Sequence, residues 1–203
     1  MSKVGVLGGS FDPVHIAHLI MAEEARVGLG LSRVIFIPAG QPYFKGGRSV
    51  ASAEHRLEMV RLAVSSNPYF EASPIEVNRP GPSYTVDTLD ALRRELGTGQ
   101  EIYLILGWDS LAAIGNWKEP ARVLELCHLV GIPRPGSLPP DLGELERAFP
   151  GSSGRITLLD RPLIGISSTD IRERIARGIS IRYLVPEAVE RYIVGHGLYR
   201  RER

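Results

Sequence analysis

Two histidines three residues apart, His15 and His18, follow a glycine turn in the stretch Gly8-Gly9-Ser10-Phe11-Asp12-Pro13-Val14-His15-Ile16-Ala17-His18. At that spacing two imidazoles share one helix face, and glycines leave backbone N–H groups open to close approach by a ligand. Asp12 suits an N-cap and Pro13 a first helical position, so a helix is expected to open there. The imidazoles, the positive end of that helix and the turn would then converge on the phosphates of a nucleotide. A histidine pair also suits a metal ion, but no Cys or carboxylate lies nearby at ligand spacing. A second cluster, Ile166-Ser167-Ser168-Thr169-Asp170-Ile171-Arg172, sets three hydroxyls before a helical pattern, with Arg172 about one turn in. Hydroxyls at a helix start and a guanidinium both bind anions, although alone this is an ordinary capped helix with a solvated arginine.

The elements that would position these groups are legible as alternating apolar strands and amphipathic helices. Val4–Leu7, Val34–Ile37, Ile102–Leu106, Leu129–Ile132 and Ile156–Leu159 read as strands. Helical patterns run through Leu19 to Ala25, Leu57 to Val64 and Val86 to Leu96, and two more helices are expected at the C-terminus. Pro186 suits the first turn of the last helix and Gly195 its stop. Near-continuous apolar strands between helices imply a parallel sheet covered on both faces, whose ligands sit beyond the strands' carboxyl ends. The expected fold is α/β, a Rossmann-like open parallel sheet, in a single domain over residues 1–203. The Pro- and Gly-rich stretch from Pro133 to Gly154, with a short helix at Leu142–Ala148, is the least constrained part. Gly40–Ser52 is a candidate lid.

Composition removes several classes. A net charge of +1 with scattered basic residues gives no sign of nucleic-acid binding. One cysteine, Cys127, allows no internal disulfide and reads as a buried strand residue. No apolar run approaches the roughly 18–20 residues of a membrane span. One Lys before the first strand is not a signal-peptide pattern, so a soluble cytoplasmic protein is expected. Gly5, Gly8 and Gly9 lack the G-x-G-x-x-G spacing of a dinucleotide fingerprint, which argues against an NAD-dependent oxidoreductase.

The first cluster resembles the GxFDPxHxGH signature of the nucleotidylyltransferase superfamily, with Ala17 where that signature has Gly. The second resembles its ISSTxIR motif. Between them, Pro38 to Lys45 is similar to the PxxxPxHK loop of the nicotinate-mononucleotide adenylyltransferases. Gly81 to Thr88, Leu106-Gly107-Trp108-Asp109-Ser110, Asn116-Trp117-Lys118 and Val130 to Gly136 resemble further segments of that family, as does the Gly197-Leu198-Tyr199 ending. Phe44 stands where the family loop often has His, and Lys118 where an aromatic is usual.

The resemblance implies transfer of AMP from ATP to nicotinate mononucleotide, with Mg²⁺ carried by the triphosphate. It implies His15, His18 and Arg172 as catalytic groups. Gly8, Gly9, Ser10, Phe11, Gly107, Asp109, Ile166, Ser167, Ser168 and Thr169 would hold the nucleotide, and Lys45, Ser83, Thr85, Trp117, Lys118 and Arg134 the acceptor. Physically, Trp117 offers a stacking face and Thr85, beside the N-cap candidate Ser83, a hydroxyl for a carboxylate. Asp109 offers an acceptor for a ribose hydroxyl, and Lys45 and Arg134 are candidate phosphate clamps. Each has a plainer role as packing, cap or solvated charge. His55, His128 and His196 read as surface or packing residues. Another superfamily transferase, such as a phosphopantetheine adenylyltransferase, and a non-catalytic nucleotide-binding regulator are the alternatives. The oligomeric state stays open, a homodimer included.

Overall fold

Six apolar segments pair in parallel into one sheet in the computed structural model, which describes residues 2–41, 51–97 and 99–200. The strands are β1 (Ser2–Gly9), β2 (Arg33–Pro38), β3 (Phe70–Ala72), β4 (Gln100–Gly107), β5 (His128–Ile132) and β6 (Ile156–Leu158). Their order is β3-β2-β1-β4-β5-β6, with every neighbouring pair parallel. The chain leaves β1 toward β2 on one side and later takes up β4 on the other. The carboxyl ends of β1 and β4 therefore flank the point where strand order reverses, which is where open α/β sheets bind ligands.

Side-chain alternation splits the core into two layers. Val34 and Phe36 of β2 face one layer with Met21 of α1 (Ile16–Leu29), Met59 of α2 (Ala53–Val64), Ile171 of α7 (Ser168–Ala176) and Val189 of α8 (Glu187–Gly195). Ile35 and Ile37 face the other, with Leu89 of α3 (Thr85–Leu96), Leu111 of α4 (Trp108–Ala112), Val123 of α5 (Pro120–Leu126) and Leu145 of α6 (Leu142–Ala148). Each such side chain, fully buried, contributes roughly 1.5–3 kcal/mol. Burial on both faces is why these strands lack the polar alternation of a half-exposed sheet.

Several expectations change in detail. The helix expected from Asp12 and Pro13 begins instead at Ile16, with His15 as N-cap in extended conformation (φ −144°, ψ 169°). The carbonyls of Asp12 and Pro13 are engaged by side chains of α7, so this segment forms a turn. β3 was not foreseen; three residues are too few to show alternation, and the strand exists because Val34 to Phe36 of β2 offer it a parallel edge. Tyr84, not Ser83, is the N-cap of α3. Pro186 is the N-cap of α8, and Gly195 is its last residue, with His196 closing it. Cys127 is buried but lies between α5 and β5, its thiol donating to the Val123 carbonyl at 3.3 Å. Burial pushes that thiol up to about 12, so it is chemically inert. The Phe44 and Lys45 positions, and most of the Gly40–Ser52 loop, lie outside the described residues.

Candidate active site

Two cavities open at the carboxyl end of the sheet and meet at Gly8, Gly9 and Ser10. The larger, about 460 Å³, is lined by the glycine turn, His15, His18, Gly107, Arg134 and Ile166 to Asp170. The smaller, about 270 Å³, is walled by Leu104, Leu106 and Leu89 and closed by Ser83, Thr85, Trp117 and Lys118. Both sequence clusters thus converge on the larger cavity, joined there by Gly107 and by Arg134, which was expected with the acceptor, while Ser83 to Thr85 and Asn116 to Lys118 line the smaller one. Gly107 packs against the side chains of Asp109 and Arg134: an added Cβ would overlap the Asp109 carboxylate and lie 3.1 Å from Arg134 Nε, so both would have to move.

His15 and His18 stack with ring centroids 3.6 Å apart and planes 19° from parallel. The His15 backbone N–H donates to His18 Nδ1 at 3.2 Å, and the His18 N–H donates to the His15 carbonyl at 3.0 Å. With Nδ1 acting as acceptor, the neutral His18 ring carries its proton on Nε2 and is a donor there. His15 is only 5% exposed, and its Nδ1 is buried without a hydrogen-bond partner. Burial, helped by the Arg134 charge, holds its pKa down at about 4. His15 is therefore neutral near pH 7. The first orphan amide of α1 is also occupied, because the Ile16 N–H donates to the Leu184 carbonyl at 2.9 Å.

The hydroxyl cluster docks directly onto the histidine turn. Ser167 caps α7, its Oγ accepting from the Asp170 N–H at 3.1 Å. Ser168 Oγ donates to the Pro13 carbonyl at 2.9 Å. Arg172 Nη1 donates to the Asp12 carbonyl at 2.7 Å and Nη2 to Thr169 Oγ1 at 3.2 Å. Arg172 does not line the larger cavity; it fastens one motif to the other. Asp12, 3% exposed, accepts at Oδ1 from the Tyr199 hydroxyl at 2.7 Å, so the C-terminal segment secures the same turn. Asp109 lines neither cavity and faces Arg134 at 3.8 Å. That exposed pair contributes little to stability.

In the smaller cavity Trp117 follows a short 3₁₀ turn (Ile114–Asn116) and packs on the core with part of its ring exposed. Thr85 is the first residue of α3, where amides of the first turn lack intrahelical partners. Lys118 pairs with Asp87 at 3.1 Å and lies 4.8 Å from the centre of the Tyr84 ring. Ser83 is engaged internally. Its Oγ accepts from the Gly40 N–H at 3.0 Å and the Gln41 N–H at 3.3 Å, and it hydrogen-bonds Glu76.

Sequence reasoning missed two buried charged residues. Glu76, 9% exposed, lines the smaller cavity and accepts from Thr88 Oγ1 at 2.6 Å; burial pushes its carboxyl above the usual range. Arg56 lies beneath the glycine turn. Neither belongs to a sequence motif; for Arg56 the only local signal is a charge on the apolar side of a helical pattern, and Glu76 lies in a turn that carries no such pattern. Among the described residues no group of three or more His, Cys, Asp or Glu is placed to hold a metal ion. The larger cavity's imidazoles, hydroxyls and amides match phosphate oxygens, so a Mg²⁺ ion would be held mainly through a bound triphosphate.

Paired cavities at the switch point of a parallel sheet, joined at a glycine turn, define an α/β protein with two adjoining candidate ligand sites where open parallel sheets bind ligands. The chain belongs to the cytidylyltransferase-like family, whose model matches residues 6–174. It is 47% identical over 200 residues to a Dehalococcoides mccartyi protein named "Probable nicotinate-nucleotide adenylyltransferase", covering 98% of each. A Roseiflexus castenholzii protein of the same name is 52% identical over 198 residues, again covering 98% of each. The fold matches a Plasmodium falciparum nicotinic acid mononucleotide adenylyltransferase complexed with NaAD, with a TM-score of 0.79 at 20% identity over 98% of both chains. Among the described residues no helix is long and apolar enough to cross a membrane.

Proposed function

We propose that this chain transfers AMP from ATP to nicotinate mononucleotide, giving deamido-NAD and pyrophosphate in NAD biosynthesis in the cytoplasm. The observation that carries this reading is the meeting of a polar and an apolar cavity at Gly8-Gly9-Ser10. The full-length relatives bear the name of that activity. In the apolar cavity the pyridine ring lies against Trp117, and its carboxylate meets the Thr85 hydroxyl and the first amides of α3. In the polar cavity Ser167 to Thr169, Arg134 and His18 surround the triphosphate.

The acceptor's phosphate monoester has its second pKa near about 6, so at neutral pH it is mostly the dianion and needs no general base. One of its oxygens forms a bond to the α-phosphorus. The bond from that phosphorus to the oxygen bridging to the β-phosphate breaks, and pyrophosphate leaves with the electron pair. His18 Nε2–H donates to the α-phosphate oxygens as charge builds there. Neutral His15 supports the His18 ring from below, and Arg172 holds the turn that carries both. Mg²⁺ arriving with the triphosphate would neutralise charge on the departing group.

The test is pyrophosphate release with Mg·ATP and, separately, nicotinate mononucleotide, nicotinamide mononucleotide and phosphopantetheine. The nicotinate compound is expected to be the preferred acceptor. Equal or greater turnover of phosphopantetheine overturns the assignment, and absence of release with every acceptor favours a nucleotide-binding regulator.

A further inference from the structure

Arg56 of α2 is 1% exposed, the largest fully buried side chain among the described residues. Its guanidinium is satisfied by three backbone carbonyls. Nε donates to Ala51 at 3.3 Å, Nη1 to Ser10 at 2.8 Å and Nη2 to Gly40 at 3.1 Å. Burying a charged group costs free energy that a leucine or methionine at this site would not incur, and desolvation pulls the group's pKa down accordingly. Packing alone is therefore a poor reason for an arginine here.

Two of its three partners bear on the cavity walls. Ser10 lines both cavities at their junction, and Gly40 follows Ala39, which lines the smaller one. From Gly40 the network continues: its N–H and that of Gln41 donate to Ser83 Oγ, Ser83 hydrogen-bonds Glu76, and Glu76 accepts from Thr88 of α3. One planar fork thus joins the turn on the phosphate side to the loop that anchors the acceptor-side helix. We propose that Arg56 is a positioning residue that sets the spacing between the two substrate cavities. The inference rests on the adenylyl-transfer reading above, because only a reaction that joins ligands from both cavities makes that spacing matter. Reacting atoms must lie about 3–3.5 Å apart, and a displacement of about 1 Å can slow a reaction roughly 100-fold. A lysine ammonium is a compact point donor without the rigid fork that reaches two separate segments.

Two variants test this. Arg56→Lys keeps the charge and removes the fork. Gly40→Ala leaves Arg56 intact, but its new Cβ would overlap the Glu76 carbonyl oxygen, displacing Gly40 from the guanidinium. Calorimetry is run with ATP alone, nicotinate mononucleotide alone and deamido-NAD, which spans both cavities; steady-state kinetics follow on the same folded samples. Both variants should bind each single substrate within about threefold of the wild type, while deamido-NAD weakens by at least about tenfold. In parallel kcat should fall at least about tenfold with each KM nearly unchanged. If deamido-NAD affinity and kcat change no more than single-substrate affinity, the spacing role is refuted. Should Arg56→Lys fail to fold, Gly40→Ala decides alone. A wild type that neither binds deamido-NAD nor releases pyrophosphate sinks the reaction assignment and this inference with it. A competent wild type with indifferent variants sinks only the inference.

Discussion

His15 should make the folded protein sensitive to mild acid, and replacing it with glutamine should remove that sensitivity. Its pKa is about 4 in the folded chain against an ordinary 6.5, because burial disfavours the imidazolium and Arg134 repels it. The unfolded chain therefore binds more protons than the folded one between these values. The contribution is fully present above about pH 6.5, is lost as pH falls toward 4, and changes no further below that. A difference of about 2.5 units at 1.36 kcal/mol each gives about 3.4 kcal/mol in all, of which about 2 kcal/mol is lost by pH 5. Urea unfolding at pH 7 and pH 5 should show the wild type losing about 2 kcal/mol more than His15→Gln. A histidine ring titration by NMR gives the same quantity directly. A His15 pKa at or above 6 in the free protein, or parallel losses in both proteins, refutes the burial argument.

His18→Ala should lower kcat by about 10²–10³ through loss of the Nε2 donor, with about 1 kcal/mol of stability lost from the His15 cap bond. Near-normal turnover would remove His18 from the chemistry. Tyr199→Phe strips a donor from the buried Asp12 carboxylate and should cost about 1–3 kcal/mol, read by denaturant melting; an unchanged midpoint contradicts the role given to that bond. Gly107→Ala drives a methyl into the Asp109 carboxylate and against Arg134, so KM for ATP should rise about tenfold, or ~1.4 kcal/mol, while KM for the acceptor stays put. Equal effects on both substrates would show that the damage spreads beyond the larger cavity.

The parallel sheet was legible because buried strands need unbroken apolar runs, and Val34 to Ile37 or Ile102 to Leu106 have no other stable placement. Most of the larger cavity's lining was legible because it comes from two short stretches of sequence, within Gly8 to His18 and Ile166 to Asp170. The smaller cavity was half legible. Trp117 and Thr85 line the cavity as expected, whereas Ser83 has its hydrogen bonds taken by Gly40, Gln41 and Glu76.

Residue types and their local spacing determined which elements form and which groups are available for phosphate chemistry. Tertiary structure decided where α1 starts, that His15 is neutral, that Arg172 grips a backbone turn, that Arg56 lies beneath the glycine turn and that Glu76 lines the smaller cavity. Each of those outcomes depends on burial or on a partner remote in sequence. Ser168 meets Pro13 across 155 residues, Arg172 meets Asp12 across 160 and Tyr199 meets Asp12 across 187. Desolvation and hydrogen-bond satisfaction are set by whatever chain folds over a group, and no window of neighbouring residues contains that information.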